Sequence, residues 1–180
     1  MISSLVGIIA SSGVGVAGGD YESIATVNVG SGGASSISFS SIPSTYQHLQ
    51  IRGIAKMSSG ASLYAQLNSD TGSNYARHFL NGNGTAAGTG ANSSFSNFFV
   101  GTTGTATSTF GANVIDILDY KDTNKYTTSR SLSGMDANGS GFVQFFSGLW
   151  MNTAAVTTIT ITGDSNFDQY SSFALYGIKG

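Results

Sequence analysis

Asp70-Thr71-Gly72 is the first stretch of the chain whose residue types could do chemistry: aspartic proteases carry a catalytic carboxylate on such a tripeptide, and His78 follows eight residues after Asp70. That chemistry needs two carboxylates sharing one proton, each on a loop entered from an apolar strand. Asn68 and Ser69 stand before Asp70 where apolar residues are wanted, and Ser73 and Asn74 follow the tripeptide. One such tripeptide per chain would also demand a symmetric dimer. The string NSDTGSN reads instead as a polar turn between two strands, with Asp70 accepting nearby backbone N–H groups and Gly72 supplying positive φ.

Three further patterns fail similarly. Gly13, Gly15 and Gly18 match G-x-G-x-x-G, but that motif holds a pyrophosphate only where it opens a helix, and strand and turn residues follow here. Asp164, Asn166 and Asp168 have the alternate spacing of a calcium loop's first oxygens, yet the loop glycine and the distal glutamate are missing, Glu22 being the only glutamate. A turn explains both this string and the one holding Asp119, Asp122 and Asn124. His48 and His78 are the only histidines, too few for a catalytic zinc with three protein ligands, and no G-x-S-x-G elbow occurs. The expectation is a protein that is not an enzyme and has no cofactor or metal site, although ion binding at Asp164 and Asp168 stays open.

Composition narrows the classes further. Only 9% of the 180 residues are charged, against a usual value near ~25%, and net charge is −2. The seven basic residues are scattered, which argues against a nucleic-acid partner, since that needs a concentrated basic field. There is no cysteine, so stability comes from a core, from sheet pairing or from neighbouring chains. Residues 1–19 are uncharged; they lack the basic start of a signal peptide, and serines and glycines interrupt the apolar run a membrane span needs. They read as an extended arm lying on another subunit, followed by one domain over 20–180, with no membrane insertion.

That domain reads as β throughout. Period-two apolar spacing recurs at 21–29, 36–42, 48–56, 62–68, 74–80, 95–101, 112–120, 126–135, 142–151, 156–162 and 172–180. In 48–56 it puts Leu49, Ile51, Gly53 and Ala55 on one face and His48, Gln50, Arg52 and Ile54 on the other. Asn81-Gly82, Asn83-Gly84 and Asn138-Gly139 are hairpin dipeptides. Residues 81–94 read as a long small-residue loop, and 101–111 as another loop or a weak edge strand. The expected fold is all-β: an antiparallel β-sandwich, jelly-roll-like, with the extended N-terminal arm. Phe95, Phe98, Phe99, Phe142, Phe145, Phe146 and Trp150 crowd into short windows whose spacing does not fit one face, so some are expected to point outward.

Several blocks carry a resemblance: ISFSSIPSTYQHLQIRGIAK, LNSDTGSNYARHFLNGNG, VIDILDYKDTNKYTTSRSLSGMDANGSG, GLWMNTAAVTTITI and FALYGIKG. In order, from about residue 21 to Gly180, they resemble a family of small virion proteins of tailed bacteriophages, cyanophage-like ones in particular. The resemblance implies a sandwich or jelly-roll module on the virion surface, without catalysis, self-associating as a homotrimer. Together with the arm it suggests a capsid decoration or cement protein that clamps major capsid protein subunits through Ile2, Leu5, Val6, Ile8 and Ile9. The alternative is a tail-fibre or tail-tip adhesion module, partnered by tail proteins and binding host surface glycan. Its candidate contacts are the 81–94 and 136–141 loops, with Asn81, Asn83, Asn92, Asp136 and Asn138, plus outward aromatics.

Overall fold

The computed structural model describes residues 20–180. The arm residues Ile2, Leu5, Val6, Ile8 and Ile9 and the 13–18 glycine motif lie outside the described residues. Twelve strands follow: β1 (Tyr21–Asn28), β2 (Ala34–Phe39), β3 (His48–Ala55), β4 (Ser62–Leu67), β5 (Tyr75–Gly82), β6 (Ala87–Phe95), β7 (Phe98–Thr102), β8 (Gly111–Leu118), β9 (Thr127–Asp136), β10 (Gly141–Trp150), β11 (Ile159–Phe167) and β12 (Ser172–Ile178). They form two antiparallel sheets, one of eight strands in the order β1-β12-β3-β8-β9-β10-β5-β6 and one of four in the order β2-β11-β4-β7.

The order resolves into a frame and an extension. Without β5, β6, β9 and β10, the sheets reduce to β1-β12-β3-β8 facing β2-β11-β4-β7. First strand pairs with last and second with last but one, which is the doubly Greek-key order of a jelly roll. The other four strands enter as two hairpins, β5–β6 between β4 and β7, and β9–β10 between β8 and β11. The β9–β10 hairpin attaches beside β8 and the β5–β6 hairpin beyond it on β10, so that together they widen the larger sheet.

Alternation in the sequence builds the frame's core. In β8 the odd residues Gly111, Asn113, Ile115 and Ile117 are buried and the even ones are not. Leu49, Ile51, Ile115, Ile117, Phe173 and Leu175 line the inner face of the larger sheet and meet Ile37, Phe39, Leu63, Leu67, Ile159 and Ile161 of the smaller one. Each such side chain contributes about 1.5–3 kcal/mol by leaving water. In the extension the inner face changes character. The inward residues of β9 are Thr127, Ser129, Ser131 and Ser133, all buried. These small side chains let β7 settle close to the larger sheet, with the Phe98 ring over Gly148 and Ser129. A Cβ on Gly148 would fall 2.4 Å from Ser129 Oγ and 2.6 Å from the ring. Ser133 Oγ accepts the Thr102 N–H at 2.8 Å, partly satisfying the otherwise unpaired edge of β7.

Three segments differ from the sequence reading. Residues 81–94 are no long loop: Asn81 and Gly82 end β5, a short turn follows, and Ala87–Phe95 form β6. AGTGANSSF carries almost no apolar residue because this edge strand buries little on either face, so it has no period to detect. The strand expected at 156–162 begins at Ile159 and continues to Phe167. The calcium-like string therefore opens within β11, with a register irregularity between Thr162 and Phe167. The expected strand 95–101 starts at Phe98, and residues 103–110 are a connection.

Candidate interaction surfaces

Asp70 sits in the β4–β5 turn, entered through Asn68 and Ser69, both in the left-handed region at φ 50° and 56°. Its Oδ1 accepts the Gly72 N–H at 2.8 Å. Its Oδ2 accepts Asn74 Nδ2 at 2.9 Å and the Trp150 indole N–H at 2.7 Å. The Asn74 amide first, then the Trp150 indole, hold the carboxyl below the usual carboxylate range. The Tyr75 hydroxyl accepts the Leu67 N–H at 3.1 Å, and burial pushes its pKa up to about 12. His78, three residues further along β5, is exposed on the opposite face from buried Tyr75. The turn is thus a clamp on the fully buried Trp150. The sequence announced the turn but assigned its positive φ to Gly72, whereas Asn68 and Ser69 carry it; the tie to a tryptophan 80 residues away carries no local signal.

The carboxylates at 164 and 168 do not converge. Asp164 Oδ2 accepts the Ala61 and Ser62 N–H groups at 3.1 and 2.8 Å, and Oδ1 accepts the Tyr64 hydroxyl at 2.9 Å. Partial burial raises this carboxyl, but the donors from Ser62, Tyr64 and Ala61 outweigh it and leave the pKa lowered. Asp168 pairs with Lys56. Among the described residues, no three His, Asp or Glu side chains are grouped to hold a metal ion. Lys56 and Asp168 border a cleft of about 580 Å³ whose rim carries Tyr170, an exposed aromatic at φ 72° that sequence reasoning did not single out.

The candidate receptor residues are partly gathered. Antiparallel pairing of β5 and β10 sets Gly82 opposite Val143, so the β5–β6 and β9–β10 turns lie at the same end of the sheet. They enclose a cleft of about 440 Å³ bordered by Asn83, Asp136 and Gly139. Asn83 Oδ1 accepts the Thr85 and Ala86 N–H groups at 3.0 and 2.8 Å, and Asp136 Oδ1 accepts the Gly139 N–H at 3.0 Å. Asn138 and Gly139 have φ of 61° and 92°, the paired positive values that fit a tight hairpin to strand twist. Asn81 lies one residue below the tip, within β5. Asn92 is not at the tip: it pairs with Arg77 well down β6 and accepts its Nε–H at 3.2 Å.

The aromatic windows divide between faces. Phe98, Phe146 and Trp150 are buried, whereas Phe95, Phe142 and Phe145 are exposed. Where β10, β5 and β6 project past β7, their inner side is a shelf. There the Arg77 guanidinium lies 4.7 Å from the Phe99 ring centre, 5.0 Å from Phe95 and 6.0 Å from Phe79. Burial draws its pKa down, and the ring faces supply compensating attraction. On the outer side of the same sheet, half-exposed Ile54, Leu132 and Val143 stand with Val114 around a shallow groove, and exposed Phe145 lies next to Leu132 on the ladder. Comparison of the chain with protein-family models, with curated proteins and with solved structures found no match.

Proposed function

We propose that the protein is a non-enzymatic structural protein of a phage virion surface, in the role of a capsid decoration or cement protein. Residues 1–19 would dock it on the major capsid protein. The observation that carries this reading is the widened sheet. Two hairpins inserted into a jelly-roll frame create a four-stranded extension with apolar side chains exposed on both faces. Patches of this kind suit repeated contact with other protein molecules. Contacts that are individually weak sum over many copies on a particle. The block resemblance to tailed-phage virion proteins supports the same location. Quantitative mass spectrometry of purified particles tests it: hundreds of copies per virion are expected, and absence from the particle sinks the reading. Deleting residues 1–19 is expected to abolish capsid binding while leaving the sandwich folded.

The convergence of the two hairpin tips favours a second reading, a tail-fibre or tail-tip adhesion module for host surface glycan. A handful of copies per virion would point to it. So would glycan binding that is lost when Asn83, Asp136 and Asn138 are replaced together by alanine.

A further inference from the structure

The outer face of the eight-stranded sheet carries a step in side-chain size. Directly paired residues share a face, so the ladder defines rows across the strands. One row runs Ile54, Ala112, Gly134, Val143, Gly82; the next runs Arg52, Val114, Leu132, Phe145, Leu80. On β8, β9 and β5 the first row is small where the second is large. The step makes a groove of about 510 Å³, floored at Ala112 and Gly134. Its walls Ile54, Leu132 and Val143 are 55%, 51% and 64% exposed, which is unusual for residues of this kind on an uncovered face.

We propose that a second copy of this chain covers this face, stacked sheet on sheet about a dyad that crosses the strands between the two rows. That operation lays each row over the other. Leu132 then enters the hollow at Gly134 of the second copy, Val114 lies over Ala112 and Leu80 over Gly82, while on β10 and β3 Val143 meets Phe145 and Ile54 meets Arg52, large against large, which sets the sheet separation. The same dyad exchanges the next positions along β9, bringing Arg130 over Asp136 of the second copy and the reverse. Both are exposed, and among the described residues neither makes an ion pair. The five strands that carry these rows, at a spacing of ~4.8 Å, and four rows of side chains ~7 Å apart give a face of about 650 Å², a little under the ~800 Å² each partner contributes to a standard interface. The charges favour a second copy over residues 1–19, which carry no charged side chain to pair with Arg130 or Asp136. The interface is a property of the isolated chain and does not depend on the virion reading; its dyad stands in place of the homotrimer that the block resemblance implies.

Analytical ultracentrifugation of the full chain tests the proposal, with a dimer expected at about 100 µM, a concentration that populates even a micromolar interface. Gly134→Leu is the decisive variant. A Cβ there meets nothing closer than Phe142 O at 3.6 Å, so the fold accepts it while the hollow is filled. It is expected to keep the circular-dichroism spectrum and to weaken association by about thirtyfold or more, the size of a hot-spot loss. Arg130→Asp and Asp136→Arg are each expected to weaken it by about tenfold, since two like-charge contacts replace two attractive ones per dimer. An equimolar mixture of those two variants should recover a heterodimer, which pairing within one chain cannot explain. A monomeric wild type, a trimer, a Gly134→Leu protein that still dimerises, or a mixture that does not recover would each overturn the proposal. So would a chain that dimerises only after residues 1–19 are removed, which would give the groove to that segment.

Discussion

The jelly-roll frame and the four-stranded extension share one continuous sheet yet solve opposite problems. Frame strands point Leu49, Ile51, Phe173 and Leu175 into a closed interior, all with no exposed surface. Extension strands point Ser129, Ser131 and Ser133 inward beneath β7, and then Arg77 and Phe79 onto an open shelf, with Val143 and Phe145 facing outward. The frame buys stability by burial. The extension keeps much of its apolar surface outside, where another molecule can use it. A sheet can therefore separate holding the fold from making contacts by strand position alone, without a second domain.

Substitutions can break or sharpen this contrast, beginning with the largest expected effect. Phe173→Ala removes a fully buried ring that packs edge-on against Phe167 at 5.1 Å; it should cost about 3–5 kcal/mol in chemical denaturation. Gly148→Val, at the junction where Phe98 meets the larger sheet, should cost about 2–3 kcal/mol by overpacking. Asp70→Ala strips the acceptor from the buried Trp150 indole and should cost about 2 kcal/mol. Asn138→Ala places a Cβ-bearing residue without a compensating amide at φ 61° and should cost about 1 kcal/mol, with Asn138→Gly near neutral. Phe142→Ser, on the exposed inner shelf, should stay within about 0.5 kcal/mol. If Phe142→Ser proved as costly as Phe173→Ala, the extension would be core and the contrast would fail.

Acid titration sharpens the same contrast through Asp70. Its carboxyl is held below the usual range in the folded state, first by Asn74 and then by Trp150. The stabilisation is therefore present above the unfolded carboxylate pKa and is lost as pH falls through the folded value. Denaturation midpoints of wild type should drop on acidification below about pH 4, with a smaller drop for Asp70→Asn.

Much of the fold was readable wherever burial differs between faces. The alternation in HLQIRGIAK assigned the inner and outer faces of β3, and the structure has the same assignment. Asn138-Gly139 announced a tight hairpin and forms one, whereas Asn81-Gly82, read the same way, is the last pair of β5. β6 was unreadable because neither of its faces is strongly buried. The division of the aromatics was anticipated only as a mixture, since which face is covered depends on how far β7 reaches. The strand order was beyond any local pattern: β1 pairs with β12 across most of the chain, and β5 joins β10 rather than β4. For the same reason, the sequence named Asn83, Asp136 and Asn138 separately, but only the β5–β10 ladder brings their turns to one cleft. Asn92 was misplaced because it was grouped with a loop that is a strand.

β12 lies between β1 and β3, so the half of the larger sheet that is synthesised first has to wait for residues 172–178 before it can zip together. The β9–β10 and β5–β6 pairs are local hairpins, of the kind that form in microseconds, whereas closing the first strand onto the last is a slow, high-contact-order event. During that interval Leu132, Val143 and Phe145 stand on a formed ribbon with no finished sheet beside it. Refolding yield is therefore expected to fall as chain concentration rises, because such ribbons can meet before the sheet closes.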